Sequence, residues 1–520
     1  MKRDDMLRRA RERREPWDIV VVGGGATGMG VAVDAAARGY ATLLLERSDF
    51  GKGTSSRSTK LVHGGVRYLE KGNFSLVMEA LKERGLLRAN APHLVTDLGF
   101  VVPSYQWWES PFYGMGLKIY DLLAGRYGFS PSRRLSKEET IERLPTIRQD
   151  GLRGGVVYYD GQFDDARLLV HLARTAADHG AVLVNHAEVT ELTRDASGYL
   201  SGVAARDVLF GGGIAAAARV VVNAAGAFCD GVRRLADPGA EPMIAPSQGV
   251  HLVFDRSFLP GQNAIMVPHT SDGRVLFAIP WHGRTVVGTT DTPVDEVAVE
   301  PRPFEHEIEF ILETAATYLA RPPRREDVLA TFTGIRPLVK AGGGSGHGNT
   351  AALSRDHTIH IDPSGLLTIA GGKWTTYRNM AEDAVDQAAT LGELPERACA
   401  TKTLRIHGHD EDAARHGHLS VHGSDAPRVL AIGRGEKLHP RLPYVESEVV
   451  FAAREEMAMT VEDVLARRTR ALFLDALAAI ECAPRVAAIL AREFSPARDA
   501  AWERAQVAAF RETAAAFVLE

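Results

Sequence analysis

Apolar residues fall in short runs along this chain, and their spacing predicts its elements. Residues 18–22 are a β-branched run, DIVVV, of the kind that is buried on both faces of a parallel sheet. A glycine-rich turn follows, then helical composition over residues 29–38, with Gly39 where a left-handed helix cap would fall. A second apolar run over residues 41–45 ends at Glu46. Strand, turn, helix and strand therefore lie in one short segment.

Further on, helical patterns cover residues 74–91, closed by Pro92, and residues 166–179. Strands are predicted at 181–184 and 219–222, the second running into NAAGAF. Short alternating runs at 249–253, 275–279 and 285–287 predict an antiparallel sheet, hence a second domain inserted in the first. The glycine-rich loop 341–350 would return the chain to the first domain. Past about residue 399, Ala, Arg and Glu dominate and apolar positions take a helical period, as in Val461, Val464, Leu465, Phe473 and Leu477, or Val507, Phe510, Ala514 and Phe517. That tail, residues 399–520, reads as a separate helical domain. The body spans 17–398, with inserted parts at about 92–150 and 240–340.

A chain of 520 residues is too long for a single core. Its net charge of −5 excludes a general nucleic-acid binder and bulk attraction to anionic membranes, so any membrane contact must be local. Cys229, Cys399 and Cys482 are scattered without metal-ligand spacing, which predicts free thiols, a reducing compartment, no disulfide framework and no metal site. Residues 1–16 carry both signs of charge and read as a frayed, solvated extension rather than a secretory signal, a spanning helix or a mitochondrial presequence. No later stretch holds enough consecutive apolar residues to cross a bilayer.

The turn after residue 22 places Gly23, Gly25 and Gly28 as GxGxxG. The first glycine permits the tight turn, the second lets backbone approach a pyrophosphate, and the third lets the helix pack on the strand. Glu46, about twenty residues on, has the spacing of a ribose-binding acid, which favours FAD or NAD over NADP. The bland alternative is an ordinary glycine-rich turn in an α/β domain. Cofactor signals recur far along the chain, at Gly226 and in GLLTIAGGKWTTYRNMAEDAVDQA, where Gly371 and Gly372 precede a helix opened by Thr375 and Thr376. This recurrence favours FAD, because such a helix start can face the flavin and stabilise its reduced, anionic ring.

The motifs GGGATGMG, GTSSRSTKLVHGGVRYL, APHLV, VYYDGQFDDARL, PWHGRTVVGTTDT, TGIRPLV, SRDHTI and AGGKWTTYR, in this order over nearly the whole chain, resemble the FAD-dependent glycerol-3-phosphate dehydrogenases, mitochondrial type and bacterial relatives. VEDVLARRTRALFL resembles that family's C-terminal domain. The resemblance implies a D-amino-acid-oxidase-like α/β flavoprotein: a Rossmann-like FAD-binding domain, an inserted antiparallel-sheet substrate domain and a C-terminal all-helical domain. It implies oxidation of sn-glycerol 3-phosphate to dihydroxyacetone phosphate, hydride passing from C2 to N5 of non-covalent FAD, and electrons passing to ubiquinone or menaquinone.

By the same resemblance Arg67, Tyr68, Arg336, Arg355 and Lys373 are the substrate-pocket candidates, four cations suited to a phosphate dianion and a developing alkoxide. His251 is the first candidate for the base that takes the C2 hydroxyl proton, against the alternative of a hydrogen-bonded core histidine. His63 is a second candidate, read more readily as a loop-ordering or flavin-contacting residue. Gly23, Gly25 and Gly28 would face the pyrophosphate, Glu46 the ribose, Thr54 and Ser55 the phosphate or flavin, Val189 the adenine, Gly226 the AMP side, and Gly372 with Thr375 the flavin. Relatives commonly carry Thr and Pro where this chain has Ala225, Gly226 and Ala227.

Access to quinone would require peripheral attachment, on the inner face of the cell membrane of a cytoplasmic protein. The aromatic segment from Tyr105 to Tyr120 is a candidate, with an aromatic core or a homodimer contact as alternatives, and Arg467, Arg468 and Arg470 could meet lipid phosphates. The competing functions are a glycerol-3-phosphate oxidase that releases peroxide and a non-catalytic flavin-binding regulator.

Overall fold

A computed structural model describes residues 1–66, 69, 72–268, 270, 274–340, 356–433 and 435–519. Two sheets organise the fold. In the first, Trp17–Val22 lies between Thr42–Leu45 and Gly213–Asn223, all parallel, with Val20 in register with Leu43 and with Val221. Val182–Val184 extends one side and Leu367–Gly371 the other, both parallel, and His357–Ile361 closes the edge antiparallel. The first strand is buried on both faces, which is why its sequence is a continuous apolar run rather than an alternation. Helices Ala26–Ala37, Asp165–Asp178 and Tyr377–Leu391 cover this sheet. Gly39, at φ +81°, ends the first of them as its position predicts.

The second sheet joins Val95–Ser104, Gly154–Phe163, Ile244–Asp255, Asn263–Val267, Leu276–Trp281, Arg284–Gly288 and Val328–Val339 with shorter strands. Most pairs are antiparallel, but Asn263–Val267 runs parallel to Val95–Ser104. Gly154–Phe163 belongs to this sheet although it lies outside 92–150. It is buried along almost its whole length, so the alternation that marks a half-exposed strand is missing from it.

Two expectations fail at the ends of the chain. The N-terminal segment is no frayed extension: Arg3–Glu12 is a helix whose Met6, Leu7 and Ala10 are buried against the first sheet. Arg3 is buried too, donating to Asp207 at 2.9 Å and to the Asn185 carbonyl at 3.1 Å. Three apolar positions in a segment dominated by charge suffice once a buried ion pair fixes them.

The tail is helical, but its core is not separate. Apolar residues of Glu446–Glu455, Ala476–Glu493 and Ala500–Ala514 form one continuous cluster with Ile279, Trp281 and Phe332 of the second sheet. Arg467, Arg468 and Arg470 are buried in the seam rather than facing lipid. The Asp49 carboxylate accepts from Arg467 Nε at 2.6 Å and from Arg468 at 2.6 and 2.9 Å.

Arg167 and Glu456 form a second bidentate pair across the seam, at 2.9 and 2.7 Å. Burial alone would raise the Glu456 carboxyl, but the Arg167 charge and hydrogen bonds outweigh it and hold the group at about 2. The unfolded chain restores a value near 4.5. The unfolded state therefore binds the proton first as pH falls. The pair's contribution is complete above about 4.5 and is lost toward about 2, amounting to about 3 kcal/mol. Urea unfolding at pH 6 and pH 2.5 should show wild-type protein losing that much more stability than Glu456→Gln across the interval.

Candidate active site

The carboxyl ends of the parallel strands open onto one elongated cavity of about 1180 Å³. At one end, the turn after Trp17–Val22 is closed by contacts that tolerate no side chain. A Cβ on Gly28 would lie 2.0 Å from the Gly23 carbonyl oxygen, and one on Gly23, at φ +109°, would lie 2.7 Å from that of Ala224. Gly25, Ala26 and Thr27 bring the N-terminus of the helix to the cavity wall, where backbone N–H groups and the helix dipole favour an anion. Ser55 Oγ accepts from Ala26 N–H at 2.8 Å and so ties the next loop to this turn.

Glu46 also lines the cavity. One carboxylate oxygen accepts the Gly24 N–H at 2.7 Å and the other the Ser48 N–H at 2.8 Å. The acid thus shapes the turn itself, and each oxygen keeps a second lone pair for a ligand hydroxyl. Val189 and Gly226 line the same end. Gly226, at φ +58°, has nothing within 4 Å of where a Cβ would stand, so its face toward the cavity is open space.

The opposite wall is built by Leu367–Gly371 and the turn after it. Gly371 and Gly372, at φ +80° and +71°, deliver Lys373, Trp374 and Thr375 to the cavity ahead of the helix Tyr377–Leu391. The turn is pinned to the opposite loop: Trp374 Nε1 donates to the Ser55 carbonyl at 2.8 Å, and His63 N–H donates to Thr375 Oγ1 at 3.2 Å. Thr54 lines the cavity beside them and donates its hydroxyl to the Ile335 carbonyl. An anion-favouring helix start, an open glycine face and a second, far helix start are spaced along one cavity. They fit FAD: the turn would hold its pyrophosphate, and residues 371–375 would meet its ring system.

The second sheet contributes His251 and Arg336 to the same cavity. His251 stands in register between Gly288 and Phe332. Its ring stacks on Phe332 with centroids 4.7 Å apart, and a Cβ on Gly288 would come within 2.4 Å of His251 Cδ2, so the glycine is what admits the imidazole. Gly249 does the same for Arg336, whose Nη2 lies 2.4 Å from where its Cβ would be. The Arg336 guanidinium donates to Asp291 at 3.1 Å, to Thr289 Oγ1 at 3.2 Å and to the Gln248 and Thr290 carbonyls. This fan fixes the planar group at the cavity wall. Burial, then the charges of Lys60 and Arg336, push the His251 pKa well below the ordinary imidazole value, so the ring is neutral at physiological pH.

Gly28 packs behind the turn rather than on the cavity surface, as the third glycine of the motif should. Gly23, Gly25, Glu46, Thr54, Ser55, His63, Val189, Gly226, His251, Arg336, Gly372, Lys373 and Thr375 all line the one cavity. Arg67, Tyr68 and Arg355 lie outside the described residues. The sequence reading missed Thr59, which lines the cavity and meets His251 Nε2 at 2.9 Å, and Asp291, which anchors Arg336. Both sit inside quoted motifs, but nothing in their spacing marks them off from neighbouring Ser, Thr and Asp.

The FAD dependent oxidoreductase family matches residues 18–378, and the C-terminal domain of alpha-glycerophosphate oxidase matches residues 366–502. The mitochondrial glycerol-3-phosphate dehydrogenase SDP6 of Arabidopsis thaliana is 45% identical over 92% of this chain and 83% of its own length. The mitochondrial glycerol-3-phosphate dehydrogenase of Mus musculus is 42% identical over 92% of this chain and 71% of its own length. The glycerol-3-phosphate dehydrogenase of Bacillus halodurans, solved with FAD, superposes with a TM-score of 0.79 at 30% identity, covering 99% of this chain and 98% of that one. Turn, cavity and full-length similarity agree: the chain belongs to the FAD-dependent oxidoreductases, in their glycerol-3-phosphate dehydrogenase branch.

Proposed function

We propose that this chain oxidises sn-glycerol 3-phosphate to dihydroxyacetone phosphate with non-covalent FAD and passes the electrons to a membrane quinone, ubiquinone or menaquinone. The observation that carries the reading is the continuity of one cavity from the phosphate turn at Gly23 to the pair His251 and Arg336. FAD, when bound, supplies the hydride acceptor at N5. The chain supplies the rest. The helix start at Gly25–Thr27 and Glu46 hold the cofactor's diphosphate and ribose. His251, kept neutral, takes the proton of the C2 hydroxyl. Arg336 and Lys373 give the cavity its positive character near the reacting carbon, favouring the phosphate dianion and the alkoxide-like charge on O2 as hydride leaves.

For the acceptor, the supporting feature is the helix Glu109–Ala124. Tyr113, Leu117 and Tyr120 turn inward, whereas Trp108, Phe112, Met115, Ile119 and Leu122 form an exposed stripe at helical spacing, continued by Trp107. Leu122 is 81% exposed and Trp107 76%. Phe74 and Met78 on the neighbouring helix are exposed as well, as are Lys118 and Arg126. The aromatic segment is thus divided between core and surface. An apolar stripe with aromatic and basic neighbours suits the interfacial zone of a bilayer, and no described helix is long and apolar enough to cross one.

Two measurements test this. Protein reduced by substrate should be re-oxidised by quinone in anionic vesicles, and the triple variant F112S/M115S/L122S should lower the vesicle-bound fraction at least tenfold in affinity while leaving FAD content unchanged. Re-oxidation by oxygen with stoichiometric peroxide, and vesicle binding indifferent to the stripe, would contradict the quinone and membrane reading.

A further inference from the structure

We infer that residues 294–300 are the gate through which FAD enters and leaves the cavity, and that Glu300 is its latch. The inference rests on FAD occupying this cavity and makes no use of the substrate. It starts from a wall that is a single layer of chain. Val294, Val297 and Val299 line the cavity and are partly buried, whereas Glu296 and Ala298 between them are exposed, so this stretch has the cavity on one side and solvent on the other. Its two ends are pinned close together on one strand, Ile244–Asp255: Val294 N–H donates to the Pro246 carbonyl at 3.1 Å, and Gln248 Nε2 donates to the Arg302 carbonyl at 3.2 Å. Past the first pin, no backbone amide of residues 296–303 donates to a backbone carbonyl among the described residues. A loop with close ends and no backbone ladder can swing as a unit, so the side chains that fasten it decide where it stands.

Glu300 supplies such a fastening. Its Oε2 accepts from Arg57 Nη2 at 2.5 Å, and Lys52 Nζ lies 3.5 Å from Oε1. Both cations line the cavity, and both belong to the loop of Thr54 and Ser55, which Ser55 ties to the phosphate turn. The far side of the latch is itself anchored. Arg57 Nη1 donates to the Thr333 carbonyl at 3.1 Å, and Lys52 Nζ donates at 2.8 Å to Glu462, whose other oxygen accepts from Arg467 at 2.8 Å. Arg467 is the residue that holds Asp49 in the seam with the tail. The gate thus reaches a fixed frame, built from the second sheet and the helical tail, through the Glu300 carboxylate. The Arg57 side chain is 5% exposed and that of Glu300 24%, so the pair is shielded enough to hold and open enough for dissolved ions to weaken it. Uncharging Glu300 leaves a buried guanidinium without its anion, which disfavours the closed gate more than loss of a fully exposed pair would.

The test times FAD release from the purified, FAD-loaded protein into an excess of apo-glucose oxidase, which regains activity as it captures the freed cofactor. Glu300→Gln keeps the shape, removes the charge and should release FAD at least tenfold faster than wild type at low salt. Glu296→Gln, which removes an exposed acid from the same stretch, should stay within twofold of wild type. Salt reads the latch without any substitution. Raising NaCl from about 20 mM to about 500 mM should speed wild-type release at least fivefold, and release from Glu300→Gln less than twofold. Release from Glu300→Gln within twofold of wild type, Glu296→Gln as fast as Glu300→Gln, or a wild-type salt response that is absent or survives unchanged in Glu300→Gln would overturn the latch. Wild-type protein that holds no FAD, as purified or after incubation with it, would instead overturn the assignment of the cavity on which the inference stands.

Discussion

Gly28→Val is expected to yield a colourless protein that retains less than a tenth of the FAD held by wild type. The reason is local and steric. A Cβ at residue 28 would lie 2.0 Å from the Gly23 carbonyl oxygen and 3.2 Å from the Ala224 side chain. The nearest obstacle is backbone, so no rotamer change relieves it, and the helix Ala26–Ala37 must move off the strand end. That movement pulls the helix N-terminus away from the site proposed for the pyrophosphate. Overpacking of this kind costs about 1–3 kcal/mol in folding as well. Gly116→Ala is the control: Gly116 sits in the helix Glu109–Ala124 with nothing within 4 Å of its missing Cβ, and should keep FAD and stability. The ratio of flavin to protein absorbance in the purified variants reads the result directly.

His251→Gln should lower the rate of flavin reduction by about 10²–10⁴-fold, the range over which a positioned general base acts, while FAD stays bound. Glutamine fills the space between Gly288 and Phe332 but cannot take a proton. The pH dependence follows from the same surroundings. His251 is buried and faces Lys60 and Arg336, all of which disfavour the imidazolium, so its pKa lies well below the ordinary value. The imidazole is therefore already deprotonated at pH 6, and the wild-type rate should not rise between pH 6 and 8 through titration of this ring. A stopped-flow pH series of flavin reduction distinguishes this from an unperturbed histidine, whose protonated fraction would fall through that interval and make the rate climb.

Where a residue's role was dictated by neighbours in sequence, it was legible there. The glycines at 23, 25 and 28, the strands at either side and the left-handed Gly39 all follow from local rules of turn, period and cap. Gly249 and Gly288 show the limit. Each is a glycine because a side chain from an adjacent strand occupies the space above it, and strand register cannot be read from either segment alone. Thr59 was hidden for the same reason, since its significance lies in His251, 192 positions away. The arginines at 467, 468 and 470 look like a solvated basic face until Asp49 and Asp165 are brought beneath them by the fold. The N-terminal helix was misread because charge dominates its composition while three apolar side chains and one buried arginine decide its position. Pairing across long sequence distances is what burial adds, and hydrophobic periodicity carries no record of it.

On the proposed function, the cavity beginning at Gly23 and ending at His251 and Arg336 binds FAD at one end and glycerol 3-phosphate at the other. The measurement that tests it most directly is anaerobic titration of the purified, flavin-loaded protein with sn-glycerol 3-phosphate, followed by the flavin absorbance. Stoichiometric bleaching, with dihydroxyacetone phosphate formed in equal amount and no bleaching by the opposite enantiomer, is the predicted result. Flavin that stays oxidised under excess sn-glycerol 3-phosphate would contradict it.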